Sequence, residues 1–339
     1  MLHDSITPRP WPEFTTEFLA LYAEPLRARS TCVGMAHVLA LVAQLGVEST
    51  ADLTPATVAR LVAARTPAES PNTTHGHLAY LRAACTYAAA MGYLHVSPFV
   101  IRSRWIRKVA PQHTFHSREQ VAQVLDRART EAATGRGWSR WRKHRLYALT
   151  SIVAYTGLRK MEASRLRIED VDLPGRMLNI LPRVGNRLKT EASAAPVPVC
   201  EPLAAILAEW LPCLELPASR GTVRGPRPRN NPDSAMDPGW LIPNCYRSGP
   251  WIGGSAGHRP VEQLGALGLR AGVEGLTFLS LRHSWATAAE GLGLSEEQIK
   301  RVLRHTSIRT QAHYRHADAQ NLRDSVRGFG FGAGGESTE

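Results

Sequence analysis

A chain of 339 residues, 43% hydrophobic and 21% charged, is long enough for two domains with separate cores and too apolar for a disordered polymer. Its formal charge of +12 and isoelectric point near 10.0 argue against cationic ligands and for a polyanionic partner.

The first hundred residues read as short helices. "WPEFTTEFLALYAEPL" sets Phe14, Phe18, Leu21 and Tyr22 on one helical face, and "TCVGMAHVLALVAQLG" stops at Gly46. Thr54-Pro55 supplies a cap and a proline at a first helical position, ahead of Val58, Leu61 and Val62. "SPNTTHGHLAYLRAACTYAAAMGYL" repeats the arrangement with Leu78, Leu81 and Cys85. Four helices with short links predict an all-helical domain at 1–108. Residues 101–113, "IRSRWIRKVAPQH", read as a basic linker. From Arg102 to Arg145 stand twelve lysines or arginines against three acids. The stretch lacks the broad apolar face of an interfacial helix, so DNA is the preferred partner over a membrane surface. Arg102, Arg104, Arg107, Lys108, Arg140 and Lys143 are the candidate DNA contacts, and a solvated connector is the plainer alternative.

A second domain is predicted at 114–327. Ser117 caps a helix led by Glu119 and Gln120, and "WRKHRLYALTSIVAYTGLR" carries a stripe of Leu146, Leu149, Ile152 and Val153. "EASRLRIEDVDLPGRMLNILP" shifts from helical to strand periodicity around a turn at Pro174-Gly175, and "GNRLKTEASAAPVPV" reads as a hairpin around Lys189. After helical "EPLAAILAEWL", residues 217–260 are rich in Pro, Gly and Arg and are expected to form a long surface excursion. "VEQLGALGLRAG", "LSLRHSWATAAEGLG" and "LSEEQIKRVLRH" are three more helices, the last with Ser295 and Gln298 spaced as a capping box. Residues 328–339 read as a disordered Gly-rich tail.

Cys32, Cys85, Cys200, Cys213 and Cys245 form no close pair and no metal-like spacing, which suits a reducing cytoplasm. The N-terminus has no apolar core for export, and no run approaches the length of a membrane span. A protein acting on DNA inside the cell is expected.

The polar positions able to carry chemistry are Arg159 after "TGL", Lys189, Arg282, His305 and Tyr314. Two arginines present rigid donor forks to the non-bridging oxygens of a phosphodiester and stabilise added charge at phosphorus. Glu162, three residues after Arg159, can hold its guanidinium in place. A lysine on a turn can protonate a leaving oxygen, and a phenol can attack phosphorus to form a covalent intermediate. None of this needs a metal or another cofactor. Taken singly, a lone arginine is surface charge, Tyr314 packs its ring, and His305 caps a helix. The ordered set is harder to explain that way.

The set resembles the tyrosine recombinases, the phage integrase family. "TGLRKMEASRLRIEDVD", with Glu162 and Asp170, looks like the family's first arginine motif, and "RLKTEASAAPVPV" is similar to its catalytic-lysine hairpin. "LRHSWATAAEGLGLSEEQIKRVLRHTSIRTQAHYRH" resembles the rest. The likeness covers about 114–318. It implies a mixed α/β tyrosine recombinase catalytic domain behind an all-α, SAM-like core-binding domain that together clamp duplex DNA. It further implies Lys189 as general acid, Arg282 as second arginine, His305 as phosphate contact and Tyr314 as nucleophile. Strand exchange would run through a 3′-phosphotyrosine and a Holliday junction, in a homotetramer or mixed tetramer on two sites. Accessory recombinases and DNA-bending proteins are further partner classes, and a bacterial nucleoid is the implied location.

Two positions depart from the family pattern. Leu279 stands where a histidine is usual, removing a group that can activate the tyrosine and bind phosphate. Ser280 and His283 are the neighbours able to compensate, although His283 should point elsewhere. Arg304 stands where a glycine commonly precedes His305, which implies strained backbone or a different cap and adds positive charge beside the phosphate site. The expectation is a slow or partner-assisted enzyme.

Other classes fit less well. "GGSAG" at 253–257 matches a hydrolase elbow without its strand and helix. His305, His313 and His316 lack helical zinc spacing. A hydrolytic nuclease would want clustered carboxylates, and Asp170 and Asp172 read more simply as a turn. A type IB topoisomerase uses similar chemistry, but the two-domain layout favours recombination. The main rival is a non-catalytic DNA-binding subunit, with residues 292–314 as a helix-turn-helix.

Overall fold

The computed structural model describes residues 6–99, 109, 114–183, 194–215, 237, 239–245, 249–252, 259–304, 326 and 329–331. The chain divides into two compact units, Met1–Gln112 and His113–Glu339.

The first unit is helical. Trp11, Phe14 and Phe18 are buried along α1 (Trp11–Phe18), which widens into a π-turn at Leu19–Ala23 before the short α2 (Glu24–Leu26). The wider turn breaks the expected face: Tyr22 still stacks on Phe18, but Leu21 is rotated out to 64% exposure. α3 (Arg29–Gln44) buries Met35, Val38, Leu39 and Val42. Thr54 and Ser70 cap α4 (Pro55–Arg65) and α5 (Pro71–Ala90) by accepting from Thr57 N and Thr73 N, each with proline at the first position. Leu61, Leu78, Leu81 and Cys85 close this core.

The second unit is built round one buried helix. A capping box between Ser117 and Gln120 starts α6 (Arg118–Thr134). In α7 (Gly137–Thr156) every residue from His144 to Thr156 is buried. A helix enclosed on all sides lies at the centre of a unit. Gly157 ends α7 at φ 63°, where an added Cβ would stand 2.6 Å from Leu303 and 3.1 Å from Trp285. No other residue fits this corner without displacing its neighbours.

After α8 (Lys160–Ser164), the chain forms an antiparallel sheet of β1 (Val171–Asp172), β2 (Met177–Asn179) and β3 (Pro196–Pro198). Leu178 pairs with Val171 on one side and Val197 on the other. Asp172 closes the expected turn by accepting from Gly175 N at 2.8 Å. α9 (Glu201–Glu215), α10 (Pro260–Arg270), α11 (Phe278–Gly291) and α12 (Glu296–Val302) complete the unit, and α6, α9, α10 and α11 all contact α7.

Two sequence expectations need correction. Residues 239–245 and 249–252 are not a surface excursion. Ile168 N donates to Gly239 O and Leu241 N to Leu166 O, while Leu241 and Ile242 are wholly buried. The Pro and Gly content masked the aromatic and aliphatic side chains Trp240, Leu241, Ile242 and Trp251. Phe329–Phe331, inside the expected Gly-rich tail, are also docked rather than loose. Phe329 and Phe331 are buried, 5.8 Å from Trp285 and 5.3 Å from Tyr155 respectively, and Arg118 donates to Gly330 O at 2.8 Å. Two buried aromatic rings outweigh the entropy of ordering so short a stretch.

Candidate active site

The corner at Gly157 gathers the arginines. Arg159, two residues on, is the N-cap of α8. Glu162, in the first turn of that helix, accepts from Arg159 N and Nη1, both at 2.9 Å, and is nearly enclosed while Arg159 stays about one-third exposed. The spacing that suggested this carboxylate as a holder of Arg159 therefore corresponds to a bidentate arrangement of backbone and guanidinium.

Arg282 reaches the same corner from α11. Its Nη1 donates to Gly157 O at 2.5 Å and its Nη2 to Leu303 O at 2.6 Å, tying the end of α7 to the end of α12. Those bonds use only part of a guanidinium's donor set. Burial, and then the charge of Arg159, push its pKa down to about 10, so it stays cationic at neutral pH.

Arg304 completes the cluster. It takes φ 51°, the left-handed conformation a glycine holds at ease, at a cost of about 1 kcal/mol for an L side chain. Its side chain turns inward, is 2% exposed, and donates Nη2 to Glu162 Oε2 at 2.5 Å. Burial depresses its pKa, Glu162 opposes that, and Arg159 adds to it. Its Nε and Nη1 have no hydrogen-bond partner among the described residues. Arg159 and Arg304 thus share one carboxylate, and Arg282 feels the charge of all three, an arrangement of three cations round one anion that favours a further anion.

Leu279 is 61% exposed one turn before Arg282. Ser280 cannot stand in for the missing polar group. Its Oγ is committed to Thr277 at the head of α11, lies 3.1 Å from His116 Nε2, and is buried. Sequence reasoning missed His116, whose backbone N–H also donates to Ser284 Oγ at 2.8 Å and whose pKa burial lowers.

Asp170, from the first arginine motif, is a structural anchor. Its carboxylate accepts from Arg167 N and from both terminal nitrogens of Arg183, at the edge of the segment that contains Lys189. Lys189, His305 and Tyr314 lie outside the described residues, as do Arg102, Arg104, Arg107 and Lys108, the "GGSAG" stretch, His313, His316 and Thr310. Arg140 is exposed and Lys143 half-buried on the first half of α7. Helical rise puts Arg140 about 25 Å along the axis from Gly157, well away from the arginine cluster.

Arg145, counted with the basic run, faces inward instead. It is wholly buried, lies over the Trp141 and Trp251 rings at 4.9 and 3.8 Å, and donates to Pro243 O at 2.8 Å. The Trp141–Arg145 spacing of four was a legible signal for the first of these contacts. No cluster of His, Cys, Asp or Glu among the described residues is arranged to hold a metal ion, and no described helix is long and apolar enough to cross a membrane.

A helical unit followed by a mixed α/β unit is the two-domain architecture of solved integrases. The chain is similar to the Tn1549 transposon integrase in complex with a circular-intermediate DNA, with TM-score 0.64 and 15% identity over 94% of this chain and 99% of that one. The same integrase with transposon right-end DNA gives 0.61 at 16%, over 93% and 99%. A lambda integrase dimer bound to a COC' core site gives 0.60 at 13%, over 91% and 100%. At these identities the likeness is one of fold. No protein-family model and no curated protein sequence matches the chain.

Proposed function

We propose that this chain is a tyrosine-type site-specific DNA recombinase whose helical unit is a SAM-like core-binding domain. The observation that carries the reading is the meeting of Arg159 and Arg282, far apart in the second unit's sequence, beside one ordered carboxylate at the Gly157 corner. The fold is shared with integrases solved on DNA, and duplex DNA is the proposed partner here.

In this reading Arg159 and Arg282 hold the non-bridging oxygens of the scissile phosphate. The Tyr314 phenol releases its proton to solvent as its oxygen bonds to phosphorus, the phosphorus–5′-oxygen bond breaks, and Lys189 gives that oxygen a proton. His305 contacts the phosphate. The strand is left as a 3′-phosphotyrosine, and attack by the 5′-hydroxyl of a partner duplex reverses the step without external energy. Two rounds through a Holliday junction exchange the strands within a homotetramer or mixed tetramer. Integration, excision and transposition all use this chemistry.

A second reading, a catalytically impaired accessory subunit, draws on Leu279: it carries no proton acceptor, and Ser280 is already engaged. The two readings separate in one assay. On a nicked suicide duplex carrying the recombination site from the flanks of the encoding element, the wild-type chain is expected to form a covalent adduct slowly. Leu279→His should raise the rate on the order of 10²-fold, the usual scale of general-base assistance. An adduct absent from both proteins, despite specific binding and added neighbouring recombinases, would favour the accessory role.

A further inference from the structure

We propose that Arg304 is a third arginine of the phosphate site, holding Glu162 in register for Arg159 and offering its unfilled N–H groups to a phosphate oxygen. The inference rests on the phosphodiester reading of the Arg159–Arg282 corner and adds to it a residue that the family pattern does not supply.

Three observations carry it. Glu162 is shared: Oε1 accepts from Arg159 Nη1, while Oε2 accepts from Arg159 N and from Arg304 Nη2. Arg304 therefore fixes the carboxylate that fixes Arg159. Second, Arg304 is enclosed yet Nε and Nη1 are unpartnered among the described residues. Buried donors without acceptors are unfavourable, and an arriving phosphate oxygen would remove that deficit. Third, the side chain starts from a backbone conformation better suited to glycine. A tie to Glu162 alone needed neither a full charge nor a left-handed arginine.

Charge gives the arrangement its chemical sense. Arg159, Arg282 and Arg304 against Glu162 leave two positive charges, where the first two arginines alone would leave one. A phosphodiester carries one negative charge and gains a second as phosphorus becomes pentacoordinate. The extra arginine thus matches the charge that develops during reaction. It also restores cationic character to a site in which Leu279 offers none.

The test uses two small anions at one mildly alkaline pH: inorganic phosphate, largely dianionic there, and dimethyl phosphate, a monoanion. Their binding to the full-length chain is measured by calorimetry. The wild-type protein is expected to prefer inorganic phosphate. Arg304→Gly, which relaxes the backbone and should fold, is expected to lose about tenfold in phosphate affinity and most of that preference, with little change toward dimethyl phosphate. Arg304→Lys should recover part of it, because lysine restores charge without the fork. Circular dichroism and melting establish that both variants are folded. Wild-type phosphate affinity and selectivity in Arg304→Gly would overturn the proposal, and so would a wild-type protein that binds no phosphate. Failure of the recombinase reading looks different: phosphate selectivity would persist, but no covalent adduct would form on DNA.

Discussion

Arg282→Lys is expected to cut covalent adduct formation on a nicked duplex by about 10²–10³-fold, the scale of losing a preorganised donor to a developing oxyanion. It should also lower the stability of the second unit. Arg282 satisfies two buried carbonyls, Gly157 O and Leu303 O, at the ends of two different helices. A lysine can serve one of them and leaves the other without a donor. Charge-assisted bonds of this kind contribute about 1.5–3 kcal/mol each, so a loss near 3 kcal/mol and a melting shift of roughly 6–12 °C are expected. Thermal unfolding and adduct kinetics on the same preparation check both effects. Wild-type adduct formation in Arg282→Lys would contradict a phosphate-gripping role, and an unchanged melting temperature would contradict the tie between α7 and α12.

Arg145→Ala should be destabilising with no direct effect on DNA contact. Arg145 lies between two indole rings and donates to the carbonyl of Pro243 from a fully buried position. Burial presses its pKa down to about 10, so the charge persists at neutral pH and depends on those rings and that carbonyl. Truncation removes the cation–π contacts and the bond, and opens a cavity between Trp141 and Trp251. Together these are expected to cost on the order of 4 kcal/mol. Hydrogen exchange should quicken at Leu241 and Trp251, whose N–H groups bond Leu166 O and Ile242 O. Arg145→Met, which keeps the volume, should recover part of the loss. The salt dependence of DNA binding should stay unchanged in Arg145→Ala, whereas removing a true phosphate contact lowers its slope by about one. A melting temperature within experimental error of wild type would refute this structural role.

How much of this was legible depended on sequence distance. Arg159 and Glu162 are three residues apart at a helix start, and the glycine before them marks the end of α7, so local rules placed both. Ser117, Thr54, Ser70 and Ser295 are caps read from their immediate neighbours. Arg304 was recognisable as an oddity after α12, but its inward turn is set by Glu162, 142 residues earlier. Arg145 looked like one more positive charge in a basic run because its carbonyl partner stands 98 residues away. Residues 239–245 and 249–252 and the Phe329–Phe331 pair were read from composition, and glycine and proline hid the few aromatic and aliphatic side chains that dock them. Leu21 failed for a local reason, a π-turn that no periodicity of 3.6 anticipates.

The most direct measurement is the identity of the residue joined to DNA. The full-length protein is incubated with a nicked suicide duplex carrying its recombination site, the covalent adduct is isolated after denaturation, and the linked peptide is sequenced by mass spectrometry. The expected result is a 3′-nucleotide on Tyr314, with no adduct from Tyr314→Phe. An adduct on another residue, or none even with neighbouring recombinases supplied, would contradict the assignment of this chain as a tyrosine recombinase.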